Sequence, residues 1–159
     1  MEKRYGATER NDRLMHIGQN KWELIYGYGT DGIIGWDYRA RFTRKPTNED
    51  IKDIITEQIN HNADERILSG MRWNGIPVWL SAENQFNYKA AYDLAVQSNG
   101  TSLPAKFKFG TDEKPVYHTF KSVEELQGFY TSCIAFIQQV LEECWAEKDN
   151  LDLSVFNKA

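Results

Sequence analysis

The chain has 159 residues, 41% of them hydrophobic and 26% charged, so it is long enough to bury a core without a metal or a disulfide. Its net charge of −4 argues against a general nucleic-acid binder, which usually carries a basic surplus. No segment reaches the roughly 20 apolar residues of a membrane span, and the charged N-terminus lacks the apolar region of a signal peptide. We therefore expect a protein that folds in the cytoplasm and has no membrane partner.

The first segment, residues 1–20, carries charges of both signs and almost no apolar periodicity. A segment of this kind cannot bury enough apolar surface to order itself. We expect a polar N-terminal arm that stays mobile unless a partner orders it.

Residues 21–67 form the first of three predicted units in which two strands precede a helix. The predicted strands are Trp22–Tyr28 and Ile33–Phe42, and a Thr47-to-Asp50 capping box begins the helix. Alternation along the second strand places Arg39 and Arg41 on its polar side. These two arginines either bind phosphate or an acidic partner surface, or they form the solvent-exposed face of the strand.

The second unit is built around Asn74-Gly75, a dipeptide that favours a two-residue type I′ turn. The predicted strands are Leu68–Trp73 and Ile76–Leu80. Because Pro77 cannot donate a ladder hydrogen bond, the second strand is either an edge strand or directs its missing donor outward. Ser81 caps the helix and Gly100 ends it. The apolar residues expected on this helix are Phe86, Ala90 and Leu94, with Tyr88, Ala91, Tyr92 and Ala95 beside them.

The third unit has predicted strands Ala105–Phe109 and Val116–Phe120, followed by a helix that Ser122 caps and that runs to about Lys148. The helix carries a heptad-like seam that is either core or an oligomer interface, formed by Leu126, Tyr130, Cys133, Ile137, Val140 and Cys144. Its two cysteines are about 16 Å apart along the helix, too far to form a disulfide with each other. Residues 151–159 are predicted to be a weakly ordered tail.

The residues that carry chemistry form no recognisable catalytic or metal-binding motif. His16, His61 and His118 lie in separate segments without metal-ligand spacing, so we predict no metal site, no cofactor and no catalytic residue. Turn carboxylates could serve a small glycan hydrolase if the fold brought two together, and the carboxylates on or near the predicted turns are Asp31, Asp37, Asp112 and Glu113. Four aromatic residues are either core or a binding surface for sugars or a protein: Trp73, Trp79, Tyr88 and Tyr92.

Two stretches carry a resemblance to a known group of proteins. They are Met71–Leu94, which begins MRWNGIPVWLSAENQ, and the later order of KFKF at 106–109, PVYHTF at 115–120 and a long capped helix. Together they resemble an uncharacterised domain of phage and prophage tail regions, found in tail-fibre or tail-assembly proteins, including those of Bacteroides-type bacteria. The resemblance covers about residues 68–151. It implies a setting in the bacterial cytoplasm during assembly and then the virion, and other tail proteins as partners.

These observations predict an α+β protein of three ββα units, in which antiparallel hairpins pack against helices and the last helix is long. Residues 68–150 would form a ββαββα domain of the phage-tail kind. The leading functional prediction is a non-enzymatic structural or interaction module of a phage tail, attaching to another tail protein or to itself as a homo-oligomer. The alternative is a carbohydrate-binding module that recognises host surface glycan through exposed Trp and Tyr.

Overall fold

The structure, a computed structural model, describes residues 1–158 and has an α+β fold. Each of its three helices follows an antiparallel hairpin, and the last helix is the longest, so the predicted fold class is confirmed. The elements are β1 (Glu2–Tyr5), β2 (Arg13–Gly18), β3 (Lys21–Asp31), β4 (Ile34–Phe42), α1 (Asn48–Ser69), β5 (Met71–Trp73), β6 (Ile76–Val78), α2 (Ala82–Gln97), β7 (Ala105–Gly110), β8 (Pro115–Phe120), α3 (Val123–Asp149) and a 3₁₀ helix (Leu153–Asn157).

The chain divides into two compact units. The first contains residues 1–60 and the residues from 147 onward, and the second contains residues 61–146. The division falls within α1, whereas the sequence placed it between residues 67 and 68.

The first unit contains an antiparallel four-stranded sheet in the order β1-β4-β3-β2. Residues 1–20, predicted to be a mobile arm, supply the two outer strands of this sheet, so that prediction is corrected. Backbone pairing holds β1 in register with residues 36–39 of β4, and the side chains of Lys3 and Tyr5 each donate to the Asp31 carboxylate at 2.7 Å. In the predicted weakly ordered C-terminal tail, residues Leu153–Asn157 form the 3₁₀ helix and Phe156 is buried, so that part of the prediction is corrected as well.

The second unit contains two separate two-stranded hairpins, β5–β6 and β7–β8, together with α2 and most of α3. Its core is rich in aromatic rings around Phe129, which no solvent reaches. Tyr88, Phe109 and Phe120 surround that ring at centroid distances of 4.9, 5.1 and 5.1 Å. Aromatic rings therefore make up much of the core of the second unit.

The local turn and cap predictions agree with the structure. Asn74 and Gly75 both have positive φ, as a type I′ turn requires, and Trp73 pairs with Ile76 across it. The next pair joins Arg72 and Pro77. Because hydrogen-bonded and non-hydrogen-bonded pairs alternate in an antiparallel hairpin, this position needs no donor from Pro77.

The prediction for the buried face of α2 is wrong. Phe86 is 70% exposed and Leu94 is 55% exposed, whereas Tyr88 and Ala95 are buried. The helix packs through a face that includes Tyr88, Tyr92 and Ala95, and Tyr92 stacks on Tyr130 of α3 at a ring-centroid distance of 5.2 Å.

The predicted oligomer seam on α3 lies largely inside the chain. Leu126, Cys133, Val140 and Cys144 are buried, and only Tyr130 and Ile137 keep partial exposure. Side chains already covered by their own chain offer no surface to a partner. Four of the six seam residues therefore belong to the core, and within the seam only Tyr130 and Ile137 keep surface that a partner could contact.

Candidate functional site: the Trp79 groove

Trp79 lies in the short segment between β6 and α2 and points away from the core. Its neighbours Val78 and Leu80 are each 1% exposed, whereas Trp79 is 51% exposed. In extended backbone, successive side chains point to opposite sides, so burying both neighbours forces the indole outward. The exposure of Trp79 thus follows from local geometry and not from a lack of apolar partners.

Hydrogen bonds hold the backbone of this segment in place. The Leu80 amide donates to the Leu68 carbonyl at 2.9 Å. The side-chain amides of Asn84 and Gln85 donate to the carbonyls of Trp79 and Leu80 at 2.8 and 2.7 Å. With these bonds made, Trp79 is presented on a fixed support, which lowers the entropy that a ligand would lose on binding.

The facing wall comes from the end of β7 and the turn after it. Gly110 has φ +82°, and a Cβ there would lie 2.3 Å from the Lys114 carbonyl oxygen, so the turn requires glycine. Thr111 and Lys114 exchange backbone hydrogen bonds of 3.2 Å, which close the turn. This turn brings Asp112 to within 3.5 Å of Lys108, measured between Oδ1 and Nζ.

Between these walls lies a groove of about 490 Å³, which we call the Trp79 groove. This volume is typical of small-molecule sites, about 300 to 1,000 Å³. The floor is apolar and the rim is polar, an arrangement that orients a ligand by hydrogen bonds over a hydrophobic surface. The lining residues are Ser69, Pro77, Val78, Trp79, Asn84, Lys108, Phe109, Gly110, Thr111 and Asp112.

Of the four aromatic residues predicted to bind a ligand, only Trp79 lines this groove. Trp73 is half-buried and packs edge-on against Phe129 at 5.4 Å. Tyr88 is buried, and burial raises the pKa of its hydroxyl to about 12. Tyr92 is half-buried against Tyr130. Trp73, Tyr88 and Tyr92 are therefore better assigned to packing in the core, which is one of the two roles that the sequence left open.

Arg39 and Arg41, predicted as a basic binding pair, already have partners in the first unit. Arg39 donates two hydrogen bonds to Asp37 and one to Glu23, and Arg41 donates to Glu23 at 2.9 Å. Glu23 and Asp37 are both buried, at 7% and 6% exposure. Since two carboxylates balance the two guanidinium groups, this face of the sheet offers little free positive charge to an anion.

The carboxylates considered for a glycan hydrolase differ in their hydrogen-bond partners and in the unit to which they belong. Asp31 accepts hydrogen bonds from Lys3, Tyr5 and Trp36 at 2.7, 2.7 and 3.0 Å, and its pKa is held below the usual range mainly by Lys3. Asp37 is held by Arg39. Both belong to the first unit and Asp112 belongs to the second. Within residues 1–158, no cluster of three or more His, Cys, Asp and Glu residues could hold a metal ion.

A second, smaller groove of about 220 Å³ lies between α2 and α3 in the second unit. Phe86 and Ile134 flank it at 70% and 48% exposure, and Tyr88 and Cys133 lie beneath them. Burial raises the pKa of the Cys133 thiol to about 12, which leaves it a protonated, unreactive group. This groove therefore offers apolar contact without reactive chemistry.

Sequence reasoning missed most of the polar rim of the Trp79 groove. Ser69, Asn84, Lys108 and Thr111 come from separate elements, and nothing in their spacing brings them together. The alternation of Val78, Trp79 and Leu80 ahead of the Ser81 cap was the one available signal that Trp79 faces outward.

Comparison with known proteins adds no identification: no family model, no curated protein and no solved structure matches this chain. The likeness to phage-tail domains stays a prediction from the sequence. Among the described residues, no helix combines the length and apolar character that crossing a membrane requires.

Proposed function

We propose that this chain is a non-enzymatic binding module of a phage or prophage tail that holds a saccharide in the Trp79 groove. The observation that carries the proposal is the half-exposed, backbone-fixed indole on the wall of a 490 Å³ groove with a polar rim. An indole face packs against the C–H groups of a sugar ring, while hydroxyl, amide and charged groups at the rim bond its hydroxyls.

The assignment to a phage or prophage tail rests on the resemblance to tail-region domains and is part of the same proposal. A tail protein is made in the bacterial cytoplasm and then resides in the virion, where it meets the glycan of the host surface. A saccharide site on such a module would serve host recognition. The absence of an enzymatic role is supported by Asp31 and Asp37, whose carboxylates are occupied by hydrogen-bond donors.

The experiment is isothermal titration calorimetry of the full chain with polysaccharides, comparing wild type, Trp79→Ala and Trp145→Ala. Trp145 is the matched control, since it is 48% exposed but lies outside the groove. Losing a stacked indole costs about 1.5 kcal/mol or more, so Trp79→Ala should weaken binding at least tenfold. Equal affinity in Trp79→Ala and Trp145→Ala, or no binding by wild type, would overturn the proposal.

A second candidate is binding to another copy of this chain, which is one of the two forms of the leading prediction from the sequence, through the groove between α2 and α3. It is favoured by Phe86 and Ile134, two large apolar side chains exposed on either side of the α2–α3 groove. Light scattering after size-exclusion chromatography tests it. A fixed oligomer that Phe86→Ser dissociates would support assembly through this groove, and a monomer of 18.5 kDa at every concentration would remove it.

A further inference from the structure

The charges on the Trp79 groove cancel. Its only ionisable side chains of opposite sign are Lys108 and Asp112, and their charged atoms are 3.5 Å apart. The remaining polar side chains of the lining are uncharged: Ser69, Asn84 and Thr111. The side chains that line the groove therefore carry no net charge.

This balance bears on which saccharide the groove can hold. The carboxylate of a uronic or sialic acid is bound best by an uncompensated cation, above all by a bidentate arginine, and the lining contains no arginine. In this groove the carboxylate of an anionic sugar would be attracted by the Lys108 ammonium and repelled by the Asp112 carboxylate. The two effects offset one another, while the cost of removing the sugar carboxylate from water remains.

A neutral hydroxyl suits the same pair well. Each sugar hydroxyl is one donor and two acceptors, so it can accept from the Lys108 ammonium and donate to the Asp112 carboxylate at once. The 3.5 Å separation lets one hydroxyl, or two on neighbouring carbons, reach both groups. Both side chains are exposed in the free protein, so neither needs to leave a buried position to make these bonds.

We infer that the Trp79 groove selects neutral, hydroxyl-rich saccharides and rejects acidic ones, with the sugar ring on Trp79 and its hydroxyls on Lys108 and Asp112. This inference rests on the saccharide-binding function proposed above. It adds the class of ligand and the two side chains that set the preference.

The test compares calorimetric titrations with two neutral polysaccharides, mannan and dextran, and two acidic ones, polygalacturonate and hyaluronate, at low and at physiological salt. Wild type should bind a neutral polymer at least tenfold more tightly than either acidic one. Its affinity for the neutral polymer should change less than about threefold with salt, because no net charge is neutralised on binding.

Asp112→Asn provides the decisive variant, because it leaves Lys108 uncompensated while the exposed turn position tolerates the change. It should bind polygalacturonate several-fold more tightly than wild type does, and this gain should vanish at high salt. Asp93→Asn is the matched control: Asp93 also pairs with a lysine four residues away, Lys89, but lies on α2 outside the groove.

The outcomes distinguish a failure of the neutral-sugar preference from a failure of saccharide binding itself. Tighter binding of an acidic polymer by wild type, lost in Trp79→Ala, would overturn the neutral-sugar preference and leave saccharide binding standing. An Asp112→Asn variant that gains no more than Asp93→Asn would also overturn the preference. No binding of any of the four polymers would overturn both.

Discussion

Phe129 is fully buried among the aromatic rings in the core of the second unit, and we predict that Phe129→Ala destabilises the protein by about 4 kcal/mol. Its ring is closed off from solvent and touches four aromatic rings. The centroid distances are 5.4 Å to Trp73, 4.9 Å to Tyr88, 5.1 Å to Phe109 and 5.1 Å to Phe120.

The magnitude follows from burial and from the rigidity of the surroundings. Replacing a buried Phe by Ala costs about 3–5 kcal/mol, depending on how far the cavity collapses. Four rings from one helix and three hairpin strands surround this site, and flat, stiff rings cannot move inward without losing their own contacts. The loss of edge and tilted ring pairs acts in the same direction, which places the expected value in the upper half of the range.

The assay is guanidinium chloride unfolding followed by far-UV circular dichroism and by Trp fluorescence. With a slope of about 4 kcal/mol per M, the expected loss moves the midpoint down by about 1 M. Phe86→Ala is the matched control, because the same residue type is 70% exposed there and should cost no more than about 0.5 kcal/mol. A Phe129→Ala loss below about 1.5 kcal/mol, or one equal to the control, would refute the reasoning.

The remaining predictions concern a carboxylate, a thiol and an edge strand. His118 donates a hydrogen bond to Glu125 at 2.7 Å, and this bond lowers the pKa of the Glu125 carboxyl. Glu125→Gln should therefore lower the free energy of unfolding at neutral pH, by at most about 1 kcal/mol because solvent screens the pair. The difference from wild type should fade as pH falls from about 4.3 through the lowered pKa. Cys133, buried with its pKa raised to about 12, should resist Ellman's reagent at pH 8 until the protein is unfolded. Asp31→Ala removes the acceptor shared by Lys3 and Tyr5, so amide exchange should quicken in β1 and not in β8.

Each of these has an outcome that contradicts it. A Glu125→Gln deficit that stays constant down to pH 2 would show that the carboxylate is not what the interaction requires. Prompt, stoichiometric labelling of Cys133 in the folded protein, tested in a Cys144→Ala background, would show that its site is open. Unchanged exchange in β1 after Asp31→Ala would mean that the backbone pairing with β4 alone holds that strand.

The sequence by itself determined the features that depend on a few neighbouring residues. Asn74-Gly75 defines its turn because both residues tolerate positive φ, and Ser81 begins α2 because its hydroxyl accepts from the Asn84 amide three positions on, at 3.2 Å. The order of hairpins and helices, and with it the α+β fold, follows from such local signals placed in succession.

Only the tertiary structure decided which apolar residues are covered. Phe86 and Tyr88 look equally suited to a core, yet Phe86 is exposed and Tyr88 lies among Phe107, Phe109 and Phe129. The choice depends on which face of α2 meets α3 and the β7–β8 hairpin, and the pattern within α2 does not encode that contact.

The same holds for the N-terminal strands and for the candidate site. β1 is polar throughout and becomes a strand because β4 offers it a row of unpaired backbone groups, which a polar segment can fill as well as an apolar one. Lys108 and Asp112 become the rim of a groove because a hairpin end lies opposite Trp79. Strand pairing and the packing of separate elements depend on contacts between residues far apart in the chain. A local sequence pattern therefore cannot predict them.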